Sequence, residues 1–323
     1  MKKAVVILLC FVLLLSGCMA GQPTDEPKQN TVEQSGEQNT ENEQSKEQST
    51  GVDITCMSFN VLAWAPDSWG FEPATERSVA VTAFLKEQKC DIFGLQEVTD
   101  ETGFTWVAKE DTFDWKTCIR KALGDEYGSC HVNEEENGAF FDQDIRAGLM
   151  IMWRKDRFEY LESGGGEYVS DRAHYQWVRL RDKQNDKDVL VTNTHLSIDY
   201  LMSDGVTRDL VQGNRLRSEE AEELAQLWED LVGDGALFAT GDYNCKDYDE
   251  PHLNYLQKSG RFFPSYALAE ETEGHDTIDM VYINSANTDC KRYELYPREY
   301  TFKDGSTISM SDHRAVITYA VVK

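Results

Sequence analysis

Leu237-Phe238-Ala239-Thr240-Gly241-Asp242-Tyr243-Asn244 is the stretch from which the rest of the chain is best read. Four apolar or small residues followed by Thr and Gly fit a short buried strand with a tight exit. Asp242 and Asn244 are two apart, and on extended backbone such residues point the same way. A carboxylate and an amide aimed together from a strand end suit the orienting of a water and the holding of a phosphate oxygen. Gly-Asp-x-Asn is also the composition of an ordinary turn, because Asp and Asn favour turns. What gives the string weight is that other strand ends repeat its logic.

Moving outward, Val189 to Leu196 is a β-branched strand that leads to His195. Thr277 to Ile283 places Asp279 inside an otherwise apolar strand, where a carboxylate needs a partner and an imidazole is a natural one. Ser311-Asp312-His313 precedes a last strand, Ala315 to Val321. Towards the N-terminus, Ile54 to Val61 reads as a buried strand with Asn60 near its end. Asp91 to Val98 is another short apolar strand, closing on Glu97. Each of these residues has a plainer reading, as a turn-former or an exposed strand-end acid. Residues so distant in sequence serve one purpose only if all the strand ends share one mouth.

Between the strands, Glu76 to Gln88 carries Val79, Ala80, Ala83 and Phe84 at helical spacing, and Ser218 to Leu231 has a broad apolar face. A further helix is expected over Trp106 to Leu123. Gly164-Gly165-Gly166 reads as a turn between strands at Leu149 to Arg154 and Trp177 to Arg181. Trp64 and Trp69, in a loop, suit either a substrate rim or a cover over core. No repeat of fixed period is present. Short buried strands with several helices fit an α/β architecture of sheets packed face to face with helices outside.

Residues 1–17 have the order of a bacterial lipoprotein signal. A basic start at Lys2 and Lys3 and an apolar run from Ala4 to Leu15 lead to Leu15-Ser16-Gly17-Cys18. That order implies cleavage before Cys18 and lipidation of its thiol. Residues 18–51 are polar with almost nothing to bury, which describes a lipidated cysteine and a disordered tether of roughly 30 Å mean reach. The globular domain is expected over 52–323, outside the cytoplasm and anchored to the membrane through Cys18. The formal net charge is −26. Such a field repels polyanions and counts against a high-affinity DNA binder. It leaves room for a nuclease that meets its substrate locally. Six cysteines beyond Cys18 allow 15 pairings, of which Cys118 with Cys130 is the favoured pair. No spacing suggests structural zinc, and nothing implies a protein partner.

Taken in order, Ser58-Phe59-Asn60, Leu95-Gln96-Glu97, Asn193-Thr194-His195-Leu196, Gly241-Asp242-Tyr243-Asn244, Ile278-Asp279 and Ser311-Asp312-His313 resemble the endonuclease/exonuclease/phosphatase superfamily. The resemblance spans 52–323 and implies the DNase I-like fold, a four-layer α/β sandwich of two central sheets flanked by helices. It implies a Mg²⁺-dependent phosphoesterase, with Mn²⁺ as a substitute. Glu97 would be the principal metal ligand, with Asn60 and Asp312 close to it. Asp242 and His313 would handle the attacking water, His313 being favoured as the base, and Asp279 would orient His313. Asn244 and His195 would contact the scissile phosphate. Family members that cut abasic DNA carry a tyrosine in the region of His195; the histidine is similar to the DNase I, sphingomyelinase and inositol-polyphosphate phosphatase branches. The implied substrate is a phosphoester in a small molecule, a lipid headgroup or a nucleic acid. A surface-binding lipoprotein that keeps the fold without the chemistry is the alternative outside the enzyme class.

Overall fold

The computed structural model describes residues 52–63, 70–99, 113–131, 148–170, 173–199, 202, 207–246 and 251–323. The expected signal, the tether, Trp64, Trp69 and the first half of the helix expected from Trp106 lie outside them.

In chain order the elements begin β1 (Val52–Asn60), α1 (Ala74–Gln88), β2 (Ile92–Gln96), α2 (Trp115–Leu123), β3 (Tyr127–His131) and β4 (Met150–Arg154). They continue β5 (Phe158–Glu167), β6 (His174–Asp182), β7 (Lys187–His195), α3 (Leu210–Val232), β8 (Ala236–Asp242) and α4 (Pro251–Gln257). The last third holds β9 (Phe262–Pro264), α5 (Ser265–Leu268), β10 (Glu271–Thr272) and β11 (Asp279–Asn284). It closes with β12 (Thr288–Leu295), β13 (Glu299–Thr301), β14 (Thr307–Ser309) and β15 (Val316–Val322).

Two large sheets result. A seven-stranded sheet runs β10-β12-β15-β1-β2-β4-β3, and a six-stranded sheet runs β5-β6-β7-β8-β11-β9. The pairs β1/β2 and β7/β8 are parallel, as α-helical crossovers require. One apolar cluster lies between the sheets, with Ile54, Ile92, Val191, Phe238, Val281 and Val316 among its members. A second packs α1 and α2 on the outside of the first sheet through Phe84, Trp115 and Ile119 against Phe59 and Phe93. A third packs α3 and α4 on the outside of the other sheet through Leu224, Trp228 and Leu253. The layers are therefore helix, sheet, sheet, helix, the expected four-layer sandwich.

The central strands share one gradient, and it positions the site. On the inter-sheet side β1 presents Ile54 and Cys56, then Ser58 and Asn60. By the same alternation β8 presents Ala236 and Phe238 before Thr240 and Asp242, and β7 presents Val189 and Val191 before Asn193 and His195. β11 enters from the polar end with Asp279 and continues into Val281 and Ile283. The sheets are glued by apolar side chains at one end and meet through polar ones at the other. They also come closest where Gly94 faces Thr240, since a Cβ on Gly94 would overlap that side chain.

Two local expectations are corrected. Gly164 to Gly166 is not a turn: it belongs to β5, opposite Trp177 and Tyr175 of β6. The Trp177 ring lies 2.8 Å from where a Cβ of Gly164 would stand. The glycines therefore make room for cross-strand aromatics. The helix expected from Ser218 starts earlier, at Leu210, where the Asp209 carboxylate accepts from Gln212 N at 2.9 Å as its N-cap. Cys118 lies on α2 and Cys130 on β3, and no disulfide joins them. Among the described residues no helix is long and apolar enough to cross a membrane.

Candidate active site

The polar strand ends converge on one mouth. Asn60, last of β1, donates from Nδ2 to Glu97 Oε1 at 3.1 Å and to Asp242 Oδ2 at 2.9 Å. His195, last of β7, sets Nε2 3.3 Å from the same Asp242 oxygen. His313 Nε2 stands 3.7 Å from Asp242 Oδ2 and 3.7 Å from Asp312 Oδ1. On its other side His313 Nδ1 meets Asp279 Oδ2 at 2.7 Å. Seven of the eight residues singled out in the sequence thus interlock directly around Asp242 and His313. Asn244 joins through its backbone N–H, which donates to Asp242 Oδ1 at 2.9 Å.

Two of these residues behave differently from their sequence reading. Asn60 Oδ1, the expected ligand atom, accepts from Leu62 N at 2.9 Å. Asn60 therefore turns its donor, not its oxygen, towards Glu97 and Asp242. Asn244 does not point alongside Asp242. It has left the strand at φ 50°, and its Nδ2 donates to Leu196 O at 2.7 Å. Strand alternation ends at Asp242, so the spacing of two no longer sets direction.

Backbone strain gathers here. Leu62, Glu97 and Asn244, just past β1, β2 and β8, all have positive φ of 50–56°. A non-glycine residue in that region costs about 1 kcal/mol. Each exit is held by its surroundings: Val61 N donates to Gln96 O at 3.1 Å, and Val98 N to Gly148 O at 2.9 Å. The left-handed turn of Glu97 is what swings its carboxylate across to Asn60.

Beneath the mouth lies a floor of buried amides and hydroxyls. Gln96 Nε2 donates to Asn193 Oδ1 at 2.6 Å, and Asn193 Nδ2 to Leu95 O at 2.8 Å. Ser58 Oγ receives Gly241 N at 3.0 Å. Ser311 Oγ donates to Asn60 O at 2.8 Å and accepts from His313 N at 3.1 Å. These residues sat inside the sequence motifs without an assigned role; only contacts between strands distant in sequence reveal that they align one strand end with the next.

Electrostatics follow from the packing. Burial works to raise the Asp242 pKa, but His195, His313 and the Asn60 hydrogen bond outweigh it and leave it below the usual carboxylate range. Burial likewise disfavours charge on His313, yet Asp279 and Asp242 overcome it and raise that imidazole well above its ordinary value. His174, buried opposite His195 across the β6–β7 pair, is pulled down to about 4 by burial and by His195. It stays neutral where His313 is charged.

The donor set suits a hard cation. Glu97, Asp312 and Asp242 offer carboxylate oxygens, as Mg²⁺ prefers, and Asp312 Oδ1 is a buried oxygen without a hydrogen-bond donor among the described residues. Asp242, Asp279 and His313 also lie close enough together to hold an ion. The 2.7 Å contact of Asp279 with His313 Nδ1 is, however, a hydrogen bond that an intervening ion would break. Asp279 is therefore described by its hydrogen bond to the ring.

No family profile matches the sequence, and no curated protein does. Solved structures do match. An endonuclease/exonuclease/phosphatase from Bacteroides vulgatus superposes with a TM-score of 0.62 at 19% identity, over 84% of this chain and 100% of the other. A mannosyl-6-phosphatase from Bacteroides thetaiotaomicron gives 0.59 at 17% identity, over 83% and 99%. The human Nocturnin catalytic domain, solved with a bound sulfate anion, gives 0.58 at 16% identity, over 84% and 94%. The fold is that of the endonuclease/exonuclease/phosphatase proteins, the DNase I-like sandwich.

Proposed function

We propose that this domain is a metal-dependent phosphoesterase that hydrolyses a phosphodiester or phosphomonoester by water attack. The observation that carries the reading is the Asp279–His313–Asp242 chain, joined through Asn60 to Glu97. A ring held on one nitrogen by a buried acid and facing a second carboxylate is the arrangement a general base needs. The names of two structural neighbours, a mannosyl-6-phosphatase and the sulfate-bound Nocturnin domain, agree with an oxyanion-handling site on this fold.

Glu97 and Asp312 would hold a Mg²⁺ or Mn²⁺ ion, which supplies polarisation of the phosphoryl oxygen and charge for the leaving oxyanion. Asp242, ionised and fixed by Asn60, orients the attacking water. His313 Nε2 takes its proton once the local negative charge is offset, and Asp279 stabilises the imidazolium that forms. His195, beside Asp242, meets a phosphate oxygen, and Asn244 does so through the second N–H of its amide, the first being donated to Leu196 O. Hydrolysis of a phosphate ester is mostly positioning and charge neutralisation, and these residues supply both.

The acidic surface and the expected lipid at Cys18 favour a small-molecule or lipid-headgroup phosphoester over nucleic acid. In this reading the enzyme works outside the cytoplasm, held to the bacterial membrane by its tether. EDTA should abolish hydrolysis of bis(p-nitrophenyl) phosphate or p-nitrophenyl phosphate, and Mg²⁺ or Mn²⁺ should restore it. Glu97→Gln and His313→Asn should each lower kcat by about 100-fold or more. Activity that survives EDTA, or survives both substitutions, refutes the proposal. Sugar phosphates, inositol phosphates, sphingomyelin and a plasmid-nicking assay, run side by side, separate the substrate classes.

A further inference from the structure

Arg77 lies on α1 among apolar neighbours and is 1% exposed. Among the described residues its guanidinium makes no hydrogen bond to a carboxylate. Its four hydrogen bonds to described residues go to main-chain oxygens: Nε to Glu72 O at 3.1 Å, Nη1 to Val61 O at 3.2 Å and Met310 O at 3.1 Å, and Nη2 to Leu62 O at 2.7 Å. The plane packs over Trp115, 5.3 Å from its ring centroid.

Those oxygens are not scattered. Val61 and Leu62 follow Asn60 directly, and Leu62 carries one of the strained exits at φ 52°. Met310 precedes Ser311, whose hydroxyl bonds Asn60 O and receives His313 N. One planar fork therefore clasps the exit of β1 to the loop that bears Asp312 and His313. The carboxylates nearest in effect are those of Glu97, Asp312 and Glu72. Burial lowers the Arg77 pKa and these acids act against that.

We propose that Arg77 is a positioning residue for the cation site. Its guanidinium sets the spacing between the Asn60–Glu97 side of the mouth and the Asp312–His313 side. The inference rests on the phosphoesterase reading above. A buried cation satisfied only by carbonyls is costly to keep for stability alone, since a hydrophobic side chain of similar volume commonly serves as well. A fork with fixed donor directions earns its place where two loops must be held at a set distance. Lysine keeps the charge but not the planar donor pattern.

The test compares wild type with Arg77→Lys and Arg77→Gly as full chains. Mn²⁺ binding is titrated calorimetrically alongside thermal unfolding and kinetics on bis(p-nitrophenyl) phosphate. Arg77→Lys is expected to weaken Mn²⁺ binding by about 10-fold and lower kcat by about 10- to 100-fold at little-changed KM. Guanidinium ion added at millimolar concentration is expected to restore Mn²⁺ binding to Arg77→Gly. If Arg77→Lys melts lower but binds Mn²⁺ and turns over like wild type, Arg77 is merely structural and the proposal falls. If Arg77→Gly does not fold, Arg77→Lys alone decides. A wild-type protein that binds no Mn²⁺ overturns the phosphoesterase reading itself, and this inference with it.

Discussion

Asp279 holds His313 Nδ1 with one oxygen, while its other oxygen is buried without a donor among the described residues. The imidazole is thus the one hydrogen-bond partner of Asp279 among the described side chains. Asp279→Asn preserves shape and removes the charge that stabilises an imidazolium. Turnover should fall by about 10²- to 10⁴-fold, with KM little changed. In the metal-free protein the His313 ring should also titrate at lower pH in the variant than in wild type, read by NMR. An Asp279→Asn protein that keeps both its kcat and its ring titration would remove this residue from the mechanism. The same residue-level view separates the two amides. Asn60 and Asn244 are both committed to backbone partners: Asn60 serves the site through its Nδ2 donors, and Asn244 through its backbone N–H to Asp242 and the second N–H of its amide.

At the scale of elements, α4 seats on α3 through an imidazole. His252 is fully buried, and burial, followed by the positive charge of Arg217, pulls its pKa from 6.5 down to about 4; a backbone hydrogen bond at Tyr243 works the other way. The folded protein therefore binds fewer protons than the unfolded chain between those values, so stability falls as pH drops through the window. The gap is worth about 3 kcal/mol from this group. His252→Leu should flatten the pH dependence of the urea midpoint between pH 7 and 4, making the variant relatively better at pH 4.5 than at pH 7.5. A parallel offset at both pH values would assign the acid sensitivity elsewhere. Tyr243, whose backbone N–H donates to Ile278 O at 2.7 Å just before β11, ties this helix pair to the active-site strands.

Across the whole molecule, the two sheets are pinned at the end away from the mouth. Arg157 Nη1 meets Asp91 Oδ2 at 2.9 Å, and its Nη2 meets Asp182 Oδ2 at 3.2 Å. Asp91 also accepts from the backbone and hydroxyl of Thr55 on β1, each at 2.9 Å, and Asp182 ends β6. One buried cation therefore joins the first sheet to the second. Arg157→Met leaves two buried carboxylates short of a partner, which should cost about 3–5 kcal/mol. Because the polar mouth lies at the opposite end of the same strands, kcat per folded molecule should stay at the wild-type value. A loss of turnover beyond the unfolded fraction would mean that the two ends are coupled.

Much of this arrangement was legible in the chain. Leu237 to Gly241, Val189 to Val191 and Ile54 to Met57 announce buried strands because their side chains satisfy two apolar faces, and that pattern is local. The polar residue closing each strand is equally visible, as are the α1 and α3 stripes. Other features depend on what stands opposite in space. Gly164 to Gly166 reads as a turn until Trp177 and Tyr175 are seen to need the room. Asn60 reads as a ligand until Leu62 N takes its oxygen, and Asn244 reads as a companion of Asp242 until the left-handed exit turns it away. Arg77 appears as a polar interruption of an apolar helix face, because its acceptors are main-chain oxygens that any residue could supply. Sequence alone settled the central buried strands and the apolar faces of the long helices, since periodicity is carried by neighbours along the chain. Only the packed sheets decided where each side chain at the mouth points, because that direction comes from partners tens to hundreds of residues away.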